Sequence, residues 1–137
     1  MAQVNYLAVL VASIAATVVG FLWYSPMLFG KLWMQLSGLT EKKLEESKKK
    51  RMAKAYIFTF LATIVKGYVL VVFLKYASAS TIAQGLMIGF WLWLGFIATT
   101  TLGSIFWEGK SVKLYILNNA HELITLLVMS IILTVWV

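Results

Sequence analysis

The last hydrophobic stretch, residues 112–137, reads VKLYILNNAHELITLLVMSIILTVWV and carries a polar cluster near its middle. Asn118, His121, Glu122 and Thr125 fall within about a third of a helical wheel at ~100° per residue. Ionisable groups inside a bilayer are costly and usually face the interior of a helix bundle. We therefore predict that this stretch is a transmembrane helix whose polar stripe faces partner helices.

The composition of the whole chain indicates a membrane protein. Of its 137 residues, 61% are hydrophobic and 12% are charged, and the mean hydropathy is +0.87. The net charge of +7 would also suit a nucleic-acid-binding protein. The basic residues, however, crowd between hydrophobic runs, which is typical of cytoplasmic membrane loops. The lipid bilayer is therefore the expected partner, nucleic acid is not, and the substrate stays unknown.

Few side chains in the sequence suit catalysis or metal binding. There is no cysteine, one histidine, and five acids that are all glutamates, which leaves too few ligands for a dedicated zinc site. No serine lies in a nucleophile motif, and no glycine-rich phosphate loop is present. We therefore predict no catalytic residue, metal or cofactor, and an enzyme is the less favoured hypothesis.

Hydrophobic runs predict an all-α protein with four transmembrane helices in one domain. The predicted spans are residues 4–24, 55–76, 82–106 and 112–137, and residues 27–54 form a basic, partly helical connector. The first run lacks the basic start and small-residue cleavage site of a secretory signal. It is therefore expected to remain in the protein as a membrane span.

Aromatic residues mark the predicted membrane boundaries. The first span ends in WYSP, and Pro26 disfavours helical geometry at the residue before it. Tryptophan and tyrosine are enriched at the headgroup level. The expected interface anchors are Trp23, Tyr24, Pro26, Trp33 and Trp107.

Basic residues are distributed very unevenly between the loops. Eight lie in the connector after the first span, two lie after the third span, and Lys75 is alone on the opposite side. The positive-inside rule places both basic loops in the cytoplasm and both termini outside. This pattern suits the cytoplasmic membrane of a prokaryote. The basic cluster is either a plain topology signal or a binding surface for anionic lipid headgroups.

Small residues predict where helices pack closely. Ala12 and Ala16 lie on one side of the first span, and Gly85, Gly89 and Gly103 lie on one face of the third. Small side chains let two backbones approach each other in a membrane. We predict helix packing at both faces.

The second span contains a lysine that needs a partner. Lys66 shares a face with Thr59 and Thr63 and lies ~16 Å into its span, while Glu122 lies ~15 Å into the last span from the same side. Because an isolated charge at the helix centre is costly, we predict that Lys66 and Glu122 pair. With His121, Asn118, Thr125 and the two threonines they form a predicted intramembrane polar site.

Four segments together resemble one known family. They read VNYLAVLVAS (residues 4–13), WYSPMLFGKLWM (23–34), WLGFIATTTLGSIFWEGKS (93–111) and LYILNNAHELITLLVMSIILTVW (114–136). The chain is similar over nearly its whole length to domain-of-unknown-function family seventeen sixty-one. The resemblance implies a small four-span membrane protein and supplies no mechanism.

Two functions remain open from the sequence. The first is a small-solute or ion/proton transporter or channel subunit with a polar mid-membrane site. Because four spans make a thin bundle, such a pathway would need a homo-oligomer, which we expect. The second is a non-catalytic accessory or structural membrane protein in which the polar residues only fix helix packing.

Overall fold

The chain forms an all-α membrane protein with four helices long and apolar enough to cross a bilayer. The computed structural model describes residues 4–37 and 41–136, without the side chains of residues 41–52. The helices are α1 (Tyr6–Trp23), α2 (Gly30–Ser37), α3 (Glu41–Tyr76), α4 (Ile82–Phe106) and α5 (Val112–Val135). The predicted all-α class with four membrane-length helices is confirmed. In α3 the apolar part is Ala53–Tyr76. The basic cluster of the connector lies largely among residues whose side chains are not described.

Polar caps determine where three of the helices begin. The Asn5 side chain accepts from the backbone N–H of Ala8 at 3.2 Å, so α1 starts at Tyr6 rather than at the first apolar residue. Thr81 and Gln84 form a capping box at α4, and Ser111 caps α5. Such caps satisfy backbone donors that have no partner inside the helix.

Helix α5 is the centre of the bundle and packs against α1, α3 and α4. Its Met129 is fully buried and Leu133 is 2% exposed. The small-residue side of α1 packs inward, with Ala12 fully buried and Ala16 at 5% exposure. Because lipid is as apolar as these side chains, close contact between helices holds such a bundle together.

Helix α4 approaches α5 through two glycines. A Cβ added at Gly89 would lie 2.5 Å from Ser130 Oγ, and one added at Gly85 would overlap Thr134 Oγ1. Both spacings are shorter than real Cβ contacts. The GxxxG face of α4 therefore lies directly on the serine and threonine of α5.

The contact with α5 does not continue to Gly103. Among the described residues, a Cβ at Gly103 would meet only Trp107, which follows the end of α4, at 3.4 Å. Between the glycines, α4 contains a π-helical segment, Trp93–Ala98. One extra residue in a helical turn rotates all later positions by about 100°. A helical wheel with the same ~100° step at every residue therefore assigns Gly103 to the face of Gly85 and Gly89, although the π segment rotates it away from that face.

Burial along α3 is confined to one half of its apolar part. Gly67, Leu70, Val71 and Leu74 are buried, whereas residues 53–59 are all exposed and 60–66 are exposed or half-buried. The helix therefore packs on the bundle beyond Lys66 and leaves the preceding half largely uncovered by the described residues.

Candidate functional site

An ion pair joins α3 and α5 near the middle of the bundle. Lys66 Nζ donates to Glu122 Oε2 at 2.9 Å, and each side chain is about a third exposed, at 33% and 34%. The short distance is typical of a charge-assisted hydrogen bond. Pairing neutralises two groups that would each be costly alone in hydrocarbon.

His121 lies beside this pair and is more enclosed. Its Nδ1 is 3.9 Å from Glu122 Oε1, its Nε2 is 3.3 Å from Thr125 Oγ1, and its side chain is 15% exposed. A Cβ at Gly20 of α1 would lie 3.3 Å from His121 Nε2. The glycine therefore makes room for the imidazole between α1 and α5.

Two aromatic residues at the end of α1 cover the imidazole. The ring centroids of Tyr24 and Trp23 lie 5.0 Å and 6.1 Å from that of His121. The Tyr24 hydroxyl donates to Asn118 Oδ1 at 2.8 Å. The Trp23 indole N–H is buried without a hydrogen-bond partner among the described residues. Trp23 and Tyr24 therefore belong to the polar site. The sequence pattern indicated only interface anchors at these positions and did not predict this contact.

A compact loop holds these aromatic residues in place. The Phe29 N–H donates to the Trp23 carbonyl at 3.0 Å, and the Gly30 N–H donates to the Ser25 carbonyl at 2.9 Å. A Cβ at Gly30 would overlap the Tyr24 carbonyl oxygen and would lie 2.8 Å from the Ser25 carbonyl carbon and oxygen. Only glycine therefore fits at this position. Gly30 is a structural residue of the site that the sequence patterns did not single out.

The remaining expected anchors lie at different places. Trp33 packs edge-on against Tyr24, with ring centroids 6.0 Å apart. Pro26 is exposed in the loop, and Trp107 is 90% exposed after α4. Trp33 therefore lies near the site, next to Tyr24. Pro26 and Trp107 instead face outward from the described chain.

The two threonines predicted to line the site do not join it. The Thr63 hydroxyl donates to the Thr59 carbonyl at 2.8 Å, and the Thr59 side chain is exposed. Neither makes a hydrogen bond to Lys66 or Glu122 in the described chain. The physical reason is that this half of α3 lies away from α5, so a shared helix face does not bring the threonines to the carboxylate.

A second polar cluster, around Asn119, lies between α4 and α5. Trp93 Nε1 donates to the Asn119 carbonyl at 2.9 Å, and the Thr101 hydroxyl donates to Asn119 Oδ1 at 2.9 Å. Tyr115 donates its hydroxyl to the Ala98 carbonyl at 2.6 Å. These bonds flank the π segment and stabilise its irregular backbone. The two adjacent asparagines in the sequence indicated a polar contact on α5. The sequence did not show which residues of α4 face them, because the π segment shifts the register of that helix.

The site's donor set does not resemble a metal centre. Among the residues that the structure describes, no three His, Cys, Asp or Glu side chains are placed to hold one ion. The arrangement instead offers a carboxylate, an ammonium group and an imidazole in contact. Such a set can hold or transfer protons.

The chain matches the profile of a known family. Residues 7–134 match the profile of the family described as "Protein of unknown function (DUF1761)". Comparisons with curated proteins and with solved structures yield no match. The family match covers almost all of the four spans and the loop that carries Trp23 and Tyr24. The chain therefore belongs to the DUF1761 family.

Proposed function

We propose that this protein is an ion or proton transporter or channel subunit whose working site is the Lys66–Glu122 pair with His121. The observation that carries the proposal is the placement of all three ionisable side chains together inside membrane helices. Ionisable residues within spans commonly mark ion pathways and proton relays.

The chemistry of the site suits a proton relay. Glu122 Oε1 lies 3.9 Å from His121 Nδ1, so a small rearrangement or one water would connect them. An imidazole can accept a proton on one nitrogen while releasing one from the other. Protonation of Glu122 would remove the charge that holds Lys66. Proton arrival is thus coupled to opening of the ion pair.

The proposed membrane orientation indicates which residues lie at the cytoplasmic end of this relay. With the basic loops in the cytoplasm and both termini outside a prokaryotic cytoplasmic membrane, Tyr24 and Asn118 lie on the cytoplasmic side of His121. Their hydrogen bond is 2.8 Å long, and the Tyr24 ring packs against the imidazole. In this orientation Tyr24 therefore lies between the cytoplasm and His121.

The test is proton flux through the purified protein in liposomes. Potassium-loaded vesicles receive valinomycin, and an internal pH-sensitive dye reports proton entry driven by the membrane potential. We expect flux above that of protein-free vesicles for the wild type and its loss in Glu122→Gln, because the amide cannot carry a proton. Glu108→Gln is the matched control, since Glu108 is an exposed loop carboxylate and its loss should leave the flux unchanged. Wild-type flux equal to that of empty vesicles would reject the proposal.

One observation favours a second candidate, an accessory membrane protein in which the ion pair fixes helix register. The two charged groups are in direct contact at 2.9 Å. Ion pairs of this kind often provide structural specificity rather than chemistry. Under this candidate, variants of the pair change stability, and no variant changes proton flux.

A further inference from the structure

The uncovered half of α3 carries a stripe of small side chains that ends at the ion pair. Ala55, Thr59, Ala62 and Lys66 follow one another at intervals of four, three and four residues, so they share one helix face. The first three side chains are exposed, and Lys66 is half-buried. A face of this kind lets another helix approach the α3 backbone closely.

The ion pair at the end of this stripe is incompletely covered. About a third of each of the Lys66 and Glu122 side chains remains exposed in the single chain. In a bilayer that exposed fraction would face hydrocarbon, where polar groups without protein or water around them are unfavourable. The described residues of one chain therefore leave the site incompletely covered.

We infer that a second copy of this chain covers the site, packing its own Ala55–Lys66 face against that of the first. At the end of this face Lys66 pairs with Glu122 of α5, so each copy presents one positive and one negative group side by side. Under a two-fold axis along the membrane normal, the ammonium of one copy approaches the carboxylate of the other. The face is thus complementary to itself, as a symmetric dimer interface requires.

The small side chains determine how close the two α3 helices come. Alanine and threonine at the crossing allow backbone contact, which is the main source of helix association in lipid. Two copies with the same membrane orientation place their α3 helices parallel, so like positions meet across the axis. The dimer holds whether or not ions move through the site, so it goes beyond the proposed function.

The test is disulfide cross-linking in native membranes. The chain has no cysteine, so each single-cysteine variant reports one position only. Ala62→Cys and Thr59→Cys lie on the proposed interface and should convert most of the chain to a disulfide-linked dimer on mild oxidation. Ile57→Cys and Leu61→Cys are the matched controls, because both side chains are more than half exposed, at 57% and 51%, on the other side of the same helix.

The comparison between the two faces decides the outcome. Dimer bands at residues 59 and 62 with little at residues 57 and 61 support the inferred interface. Equal cross-linking on both faces would indicate random collision, and no cross-linking at residues 59 and 62 would mean that something else covers the site. Either result overturns the inference. An ordinary detergent elution profile for each variant establishes that it is folded, and proton flux is measured separately.

Discussion

Lys66→Met is expected to lower the free energy of unfolding in lipid by about 2.5–3.5 kcal/mol, since an unpaired charge near the helix centre costs that much on insertion scales. Glu122 would lose the partner that now lies 2.9 Å away. Glu122→Gln should lower the free energy of unfolding by a similar amount, because it leaves the Lys66 charge without a partner. The double variant should recover more than half of the summed loss, because both charges are then removed.

The measurement is a double-mutant cycle on equilibrium unfolding in lipid or mixed micelles. The loop pair Lys110 and Glu108 is the matched control, with nitrogen and oxygen 3.4 Å apart and side chains more than half exposed. Its cycle should give a coupling of less than about 1 kcal/mol, as is usual for surface pairs. Strictly additive costs for Lys66 and Glu122 would show that their contact contributes nothing to stability.

Gly30→Ala is expected to be among the most damaging single-methyl changes in the chain. The new Cβ would overlap the Tyr24 carbonyl oxygen and crowd the Ser25 carbonyl. Because these are backbone atoms within a loop closed by hydrogen bonds, they cannot move aside by a rotamer change. Overpacking of this kind costs about 3 kcal/mol at the upper end of its usual range.

The same variant should disturb the polar site as well as the fold. Displacing the loop moves Tyr24, whose hydroxyl donates to Asn118 at 2.8 Å. Gly95→Ala is the control, since a Cβ there meets no atom within 4 Å and should change stability by less than about 1 kcal/mol. Equal stabilities of the two alanine variants would contradict the close packing described for Gly30.

The sequence predicted the parts of the structure that depend on regular helical geometry. The four spans follow from hydrophobic length. Lys66 and Glu122 lie on separate helices that run regularly from the same side, so their depths were predictable at 1.5 Å per residue. That Gly85 and Gly89 share one packing face also needs only local helical spacing, whereas their contact with α5 is seen only in the structure.

What the sequence did not predict lies where the backbone departs from that regularity. The loop from Trp23 to Gly30 has no repeating pattern, so its fold over His121 could not be read from spacing. The π segment of α4 moves Gly103 off the glycine face and brings Thr101 to Asn119. Thr59 failed as a site residue for another reason, because its helix face is regular but that half of α3 is not packed on α5.

Lys66 and Glu122 are proposed to form a working site rather than a structural pair. The most direct test is proton flux through the Lys66→Met, Glu122→Gln double variant, which should stay folded because neither charge is left unpaired. We expect this variant to incorporate into liposomes as the wild type does and to show only the flux of protein-free vesicles. A folded double variant with wild-type flux would contradict the claim and would assign the ion pair to helix packing alone.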